Sequence, residues 1–287
     1  LLSTGGTIAS VVSDDGLVPE ESGEQLIQML GNVPYDITVK DILSLDSSNI
    51  QPEEWKVIAE AIYKNRHDFD GIVVSHGTDT MAYTASMLTF MLQGIDVPVV
   101  LTGSQVPMNV IWSDAPDNMR LAFAAAASCE PDIYLAFDRK VMRGCRSVKV
   151  RTTAFNAFES VNVPPVAETT SDGLTIHHQA PHHHKECVLN TKIDTNVSLV
   201  KLFPGFDPRM LHAMAQNDCH GIVIEAYGLG GMTYIRRNVA AAVGQLIRQG
   251  IPVIAASQCL YERSDLTKYE VGRQALLEGA ISAHDMT

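Results

Sequence analysis

The chain has 287 residues, 46% of them hydrophobic and 19% charged, enough for one large core or, more in keeping with the length, two domains of an ordinary globular protein. Lys and Arg total 21 against 33 Asp and Glu, and the net charge of -12 speaks against a general nucleic-acid binder and for a small neutral or zwitterionic partner. The cysteines (Cys129, Cys145, Cys187, Cys219 and Cys259) form no CxxC pair and are odd in number, which predicts reduced thiols rather than a disulfide framework or a metal cluster.

Leu1 and Leu2 read as the tail of a strand already under way, so residues are expected before them. There is no charged-then-apolar leader and no apolar run long enough to span a bilayer, which makes the cytoplasm the expected compartment and leaves no membrane partner. Ser3-Thr4-Gly5-Gly6-Thr7-Ile8-Ala9-Ser10 follows as a strand-to-loop junction dense in hydroxyls and glycines. Adjacent glycines let a backbone approach a ligand closely or adopt positive φ. No Gly-Lys-Ser/Thr and no GxGxxG follows, so neither a phosphate loop nor a dinucleotide site is indicated, and a threonine-capped tight turn is the bland reading. The polar stretch 11–23 predicts a mobile loop able to act as a lid.

A helix is predicted over Glu24 to Leu30 and a strand over Ile37 to Leu45, ending at Asp46-Ser47-Ser48-Asn49. Pro52 opens a helix whose Trp55, Ile58, Ala59 and Ile62 make one apolar face through Asn65. Gly71-Ile72-Val73-Val74 then reads as a strand buried on both faces, and Met81 to Leu92 as a helix apolar nearly all round. Between them lies Ser75-His76-Gly77-Thr78-Asp79-Thr80, a strand-to-helix turn with more polar chemistry than a connector needs. The strand Val97 to Leu101 ends in Thr102-Gly103-Ser104-Gln105. Ser113-Asp114-Ala115-Pro116-Asp117-Asn118 caps the alanine-rich helix Met119 to Ala127, and Ile133 to Phe137 is the next strand. In the basic stretch Val141 to Thr153 the arginines fit a solvated face, whereas alternation between Val148 and Val150 points Lys149 inward.

From Val163 to Thr195 the pattern is that of an interdomain connection with a small hairpin. Its His177, His178, His182, His183 and His184 read as exposed linker residues rather than metal ligands. A second alternation follows: strands at Val197 to Leu202, Gly221 to Glu225 and Pro252 to Ala256, helices at Pro208 to Asn217 and Asn238 to Gln249, and a glycine loop at Gly228-Leu229-Gly230-Gly231. Asn196-Val197-Ser198 matches a glycosylation sequon, but is expected to open a buried strand.

Polar loops at one edge of a sheet converge even when distant in sequence. Thr7 and Thr78 are then candidates for one site, each also open to the reading of a helix cap. A threonine hydroxyl attacks only when a base takes its proton; Lys149 is the candidate base, Asp79 the carboxylate that orients it, and threonine hydroxyls with glycine amides the oxyanion donors. That constellation suits acyl transfer, most simply hydrolysis.

Thr4-Gly5-Gly6-Thr7-Ile8, Ser75-His76-Gly77-Thr78-Asp79-Thr80-Met81, Thr102-Gly103-Ser104-Gln105, Ser113-Asp114-Ala115-Pro116, Val148-Lys149-Val150-Arg151, Gln258-Cys259 and Tyr269-Glu270-Val271-Gly272-Arg273 closely resemble, in order, the bacterial-type L-asparaginases, in their cytoplasmic, type I version. The resemblance implies two α/β domains: a larger N-terminal parallel-sheet domain with flanking helices and a smaller flavodoxin/Rossmann-like C-terminal one. It implies that Thr7 attacks the side-chain amide of asparagine, that Thr78, Asp79 and Lys149 form the companion triad, and that Ser47, Ser48, Gly6, Gly77, Thr78 and Asp79 bind the substrate. It further implies a homodimer or homotetramer and no metal or organic cofactor. Leu17 stands where many relatives carry a lid-loop tyrosine, and Gly231 where glutaminase-active relatives carry asparagine, which favours asparagine as substrate. Cys259 aligns with a cysteine beside an allosteric site in some relatives; a buried structural thiol is expected here. The expected divisions are a catalytic domain over 1–165, a linker over 166–195 and a C-terminal domain over 196–287 that is incomplete, since the family continues beyond Thr287. An ammonia-releasing subunit of a transfer-RNA-dependent amidotransferase, or a non-catalytic asparagine sensor, are the alternatives.

Overall fold

The structure is a computed structural model that describes residues 1–13, 16–19, 21–178 and 186–286, with 11–13 and 16–19 described by their backbone alone. The chain forms two compact units, Leu1–Thr191 and Lys192–Thr287. Unit 1 contains β1 (Leu2–Gly5), β2 (Ser10–Ser13), β3 (Gly16–Pro19), α1 (Gly23–Leu30), β4 (Lys40–Leu45), α2 (Pro52–Asn65), β5 (Ile72–Ser75), α3 (Met81–Met91), β6 (Leu92–Gln93), β7 (Val99–Thr102) and α4 (Ala115–Ser128). It continues with β8 (Ile133–Phe137), β9 (Lys140–Arg143), β10 (Ser147–Lys149), β11 (Phe158–Ser160), β12 (Ala167–Thr170), β13 (Gly173–Ile176) and β14 (Val188–Leu189).

Its main sheet has eight strands in the order β13-β12-β9-β8-β7-β5-β1-β4. The run β4-β1-β5-β7-β8 is parallel, and β9, β12 and β13 add an antiparallel edge. Every residue of β5, β7 and β8 is buried, as continuous apolar runs in a doubly covered parallel sheet must be. Val73, Val100, Tyr134 and Ala136 pack under Met119, Ala122, Phe123 and Ala126 of α4, while α3 covers β7 and β8. Helix α1 starts at a reciprocal Ser22–Gln25 capping box, and α2 at Gln51, whose backbone N–H donates to Glu54 at 2.8 Å.

Two readings of this unit change. The stretch 11–23 is not an open loop: β2 and β3 pair as an antiparallel hairpin with Ser13 opposite Gly16. The small hairpin expected within the connection is β12–β13, and rather than standing apart it extends the main sheet through pairing of β12 with β9. Its strands are polar because they form the sheet's margin, where one side meets water. His177 and His178 are exposed, and His182, His183 and His184 lie outside the described residues.

Unit 2 contains β15 (Val197–Lys201), α5 (Arg209–Gln216), β16 (Gly221–Ala226), α6 (Val239–Arg248), β17 (Val253–Ser257), α7 (Glu270–Leu277) and β18 (Ile281–Ser282). The strands form a parallel sheet in the order β15-β16-β17-β18 around Ile222, Ile224, Val243, Leu246, Val253 and Ala255. β15 is an edge strand with Val197 and Leu199 exposed, not the buried strand expected after Asn196. Cys259 is exposed too, against the expectation of a buried thiol, because it lies in the loop after β17 rather than on a core-facing strand. No helix among the described residues is long and apolar enough to cross a membrane.

Candidate active site

The parallel strands β1, β4, β5 and β7 all end on the same edge of the sheet, and glycines bring their loops into contact. Gly6 has φ +83, and a Cβ there would lie 2.3 Å from the backbone nitrogen of Gly77. A Cβ on Gly77 would in turn lie 2.6 Å from Ser47 Oγ. Only bare backbone fits between these three loops. Hydrogen bonds then lock them: Gly6 N–H donates to Leu45 O at 2.9 Å, Thr80 Oγ1 to Ser47 O at 2.7 Å, and Thr4 Oγ1 to Ser75 O at 2.8 Å.

Thr7 follows Gly6 in a short 3-10 turn, Thr7–Ala9, half-buried, and its hydroxyl has no hydrogen-bond partner among the described residues. The Gly6 carbonyl accepts from Ser10 Oγ at 2.9 Å, which anchors the β2–β3 hairpin at this junction. Ser47 is buried, whereas Ser48 is exposed, its backbone N–H donating to Asp46 Oδ1 at 2.8 Å. The side chain of Leu17 lies outside the described residues; its backbone pairs with Val12.

Across the cleft, β10 and β11 form a separate two-stranded ribbon that carries Lys149. This lysine is half-buried, as are Val148 and Val150, and its Nζ donates to Thr78 Oγ1 at 2.8 Å and to Asp79 Oδ1 at 2.7 Å. The Lys149 side chain is 17% exposed and that of Asp79 60%, so the pair lies at the rim and the Thr78 hydroxyl beneath it.

The candidate residues Gly6, Ser47, Gly77, Thr78, Asp79 and Lys149 thus form one contiguous cluster, with Thr7 and Ser48 on its flanks. Residues 1–182 match the family model described as Asparaginase, N-terminal, and residues 196–287 that of the Glutaminase/Asparaginase C-terminal domain. The chain belongs to the asparaginase family. It is 43% identical to an L-asparaginase of Thermococcus kodakarensis, over 100% of this chain and 88% of the relative. The solved structure of the thermostable L-asparaginase from T. kodakarensis superimposes with a TM-score of 0.94, again over 100% of this chain and 88% of that one. L-asparaginase 1 of Escherichia coli K12 is 32% identical over 99% of this chain and 86% of its own length. A glutamyl-tRNA(Gln) amidotransferase component from Methanosphaera stadtmanae is 34% identical over 100% of this chain but 68% of its own length.

Within this asparaginase-family site, Gln105 touches Thr78 although sequence reasoning did not place it there. Its amide Nε2 donates to the carbonyls of Thr152 at 3.0 Å and Ala154 at 3.1 Å, which turns Oε1 towards the Thr78 hydroxyl at 3.3 Å. An ammonium only donates, so Thr78 accepts from Lys149 and gives its own proton to Gln105. Asp114 holds the Gln105 loop by accepting from the backbone N–H groups of Gln105 and Val106 and from Asn118 Nδ2. Burial pushes the Asp114 carboxyl above the usual carboxylate range, against the pull of these donors. The available signal was positional: Gln105 closes a polar tetrapeptide at the end of β7.

Proposed function

We propose that this chain is an amidohydrolase that converts L-asparagine to L-aspartate and ammonia. The observation that carries the reading is Lys149 held by Asp79 and bonded to the Thr78 hydroxyl, beside a second threonine that follows the tightly packed Gly6. In the proposed reaction Thr7 Oγ1 attacks the side-chain amide carbon; its proton goes to the departing nitrogen, and ammonia leaves an ester on Thr7. Water then attacks the ester carbonyl, and one of its protons returns to Thr7 as aspartate is released. Thr78 relays protons for the attacking water. Lys149, held as an ammonium by Asp79 between turnovers, first gives one proton to solvent water and then accepts the proton of Thr78, because an ammonium has no lone pair; that proton is the one later returned to Thr7.

Developing negative charge on the substrate oxygen falls to hydroxyls and backbone N–H groups around Gly6, Gly77 and Thr78, a term worth about 3 kcal/mol per well-placed donor. Ser47 and Ser48 bind the substrate's α-groups, with Asp79 taking part of its ammonium. The chemistry as proposed draws on side chains and water. The working form is a homodimer or homotetramer in the cytoplasm, a setting in keeping with five free cysteines.

Ammonia release from asparagine and from glutamine, measured on the wild type beside Thr7→Ala and Thr78→Ala, tests the proposal. Turnover of asparagine that both substitutions abolish is the expected result. Turnover of glutamine in preference would move the assignment towards the amidotransferase component, to which this chain is 34% identical. A folded protein that binds asparagine without turnover would be a sensor.

A further inference from the structure

His76 sits inside the Ser75–Thr80 turn, is fully buried, and has no part in the reaction written above. Its Nε2 lies 2.9 Å from Thr84 Oγ1 on α3, and its Nδ1 lies 2.7 Å from the carbonyl oxygen of Gly77. Thr84 Oγ1 already accepts from the indole N–H of Trp55 on α2 at 3.0 Å. An indole nitrogen only donates and a peptide carbonyl only accepts, so both ends of this chain of hydrogen bonds are fixed. The Thr84 proton is directed to Nε2, and Nδ1 carries the ring proton towards Gly77. Burial pulls the imidazole pKa down to about 4, in accord with a neutral ring.

The chain ends on one particular carbonyl. Gly77 O and Thr78 N–H belong to the same planar trans peptide and point in opposite directions. Holding the oxygen on the His76 side therefore aims the N–H away from it, and that N–H donates to no described residue. A histidine that only needed to be satisfied in a core would serve on any carbonyl; this one sets the peptide plane next to the hydroxyl that Lys149 holds.

We propose that His76, as its neutral Nδ1–H tautomer, is a positioning residue that aims the Thr78 backbone N–H at the substrate oxygen by holding the Gly77 carbonyl. The inference rests on the asparaginase reading of this site. Aim of that donor matters more as charge develops than when substrate binds, so the effect falls on kcat rather than KM.

The tautomer is read directly from side-chain proton–nitrogen correlation spectra of the wild type. His76 identifies itself as the histidine that stays neutral from about pH 8 to about pH 5.5. An Nδ1-protonated ring is expected, and an Nε2-protonated one overturns the inference without any variant having to fold. In His76→Asn the amide nitrogen takes the place of Nδ1 and is expected to keep kcat within about threefold, whereas His76→Gln leaves Gly77 O without its donor and is expected to lower kcat about tenfold or more with KM within about twofold. Equal losses in both variants, or none in either, overturn it as well. A wild type that releases no ammonia from asparagine removes the functional reading and this inference with it; an active wild type with the reversed tautomer removes this inference alone.

Discussion

Lys149 reaches Thr78 from a position 71 residues along the chain and donates to its hydroxyl at 2.8 Å. The bond joins a small ribbon to the loop after β5, so the two structures meet only in the folded unit. Lys149→Met removes the proton carrier and leaves Asp79, which is mostly exposed, in water. Activity is expected to fall by about 10²-fold or more. Stability is expected to change by less than about 1 kcal/mol, because a rim ion pair contributes little. Steady-state kinetics beside a denaturant melt checks both halves.

The two threonines separate by stability although both carry turnover. Thr7→Ala removes a hydroxyl without a partner among the described residues, and its stability is expected to stay within about 0.5 kcal/mol of wild type. Thr78→Ala strands the Gln105 carbonyl oxygen and one Lys149 N–H, for an expected loss of about 1–3 kcal/mol. Equal melts for the two variants would contradict this network.

Gly6 and Gly31 make a matched pair of backbone tests. Both have positive φ, +83 and +75, but a Cβ on Gly31 meets nothing within 4 Å while one on Gly6 strikes Gly77 at 2.3 Å. Gly31→Ala is expected to cost about 1–3 kcal/mol, the strain alone. Gly6→Ala adds displacement of the loop that carries Thr78, and is expected to cost more than about 4 kcal/mol and to abolish turnover. A Gly6→Ala protein with wild-type kcat would show that the loops need not touch.

Acid should weaken the fold through His76. Its pKa is lowered from 6.5 to about 4 by burial, so between those values the unfolded chain binds a proton that the folded one refuses. The stability it protects is complete above about pH 6.5 and is lost as pH falls towards 4, on the order of 3 kcal/mol across the window. Urea melts at several pH values, compared with those of His76→Asn, should show this slope in the wild type and a shallower one in the variant.

How much was readable in advance depended on whether the signal was local. Gly71 to Val74 announced a strand covered on both faces by being apolar without alternation, and β5 is buried throughout. Alternation between Val148 and Val150 singled out Lys149, yet all three are half-buried and its bonds to Thr78 and Asp79 are what hold the side chain. A small hairpin was expected within Val163 to Thr195, but its attachment to the main sheet was hidden because Ala167-Glu168-Thr169-Thr170 carries the polarity of a sheet margin, which reads like a loop. The β2–β3 hairpin was likewise hard to see, because Ser13 and Gly16 at the ends of its strands carry the residue types of a loop. Gln105, Asp114 and His76 owe their positions to partners up to 49 residues away, and no periodicity reports such a pairing. Cys259 was misjudged from residue type, since thiols are commonly buried and this one sits on a loop.

The ribbon that carries Lys149 has strands of three residues each and does not belong to the eight-stranded sheet. Its amides, including the Val150 N–H that donates to Ala157 O at 2.8 Å, are therefore expected to exchange with solvent hydrogen through local opening rather than through global unfolding. Warming is then expected to withdraw the lysine from its threonine while the far-ultraviolet circular dichroism of the sheets is still intact. Activity is then expected to fade at the temperature where this ribbon opens, and bracing it is expected to lengthen the working life of the site.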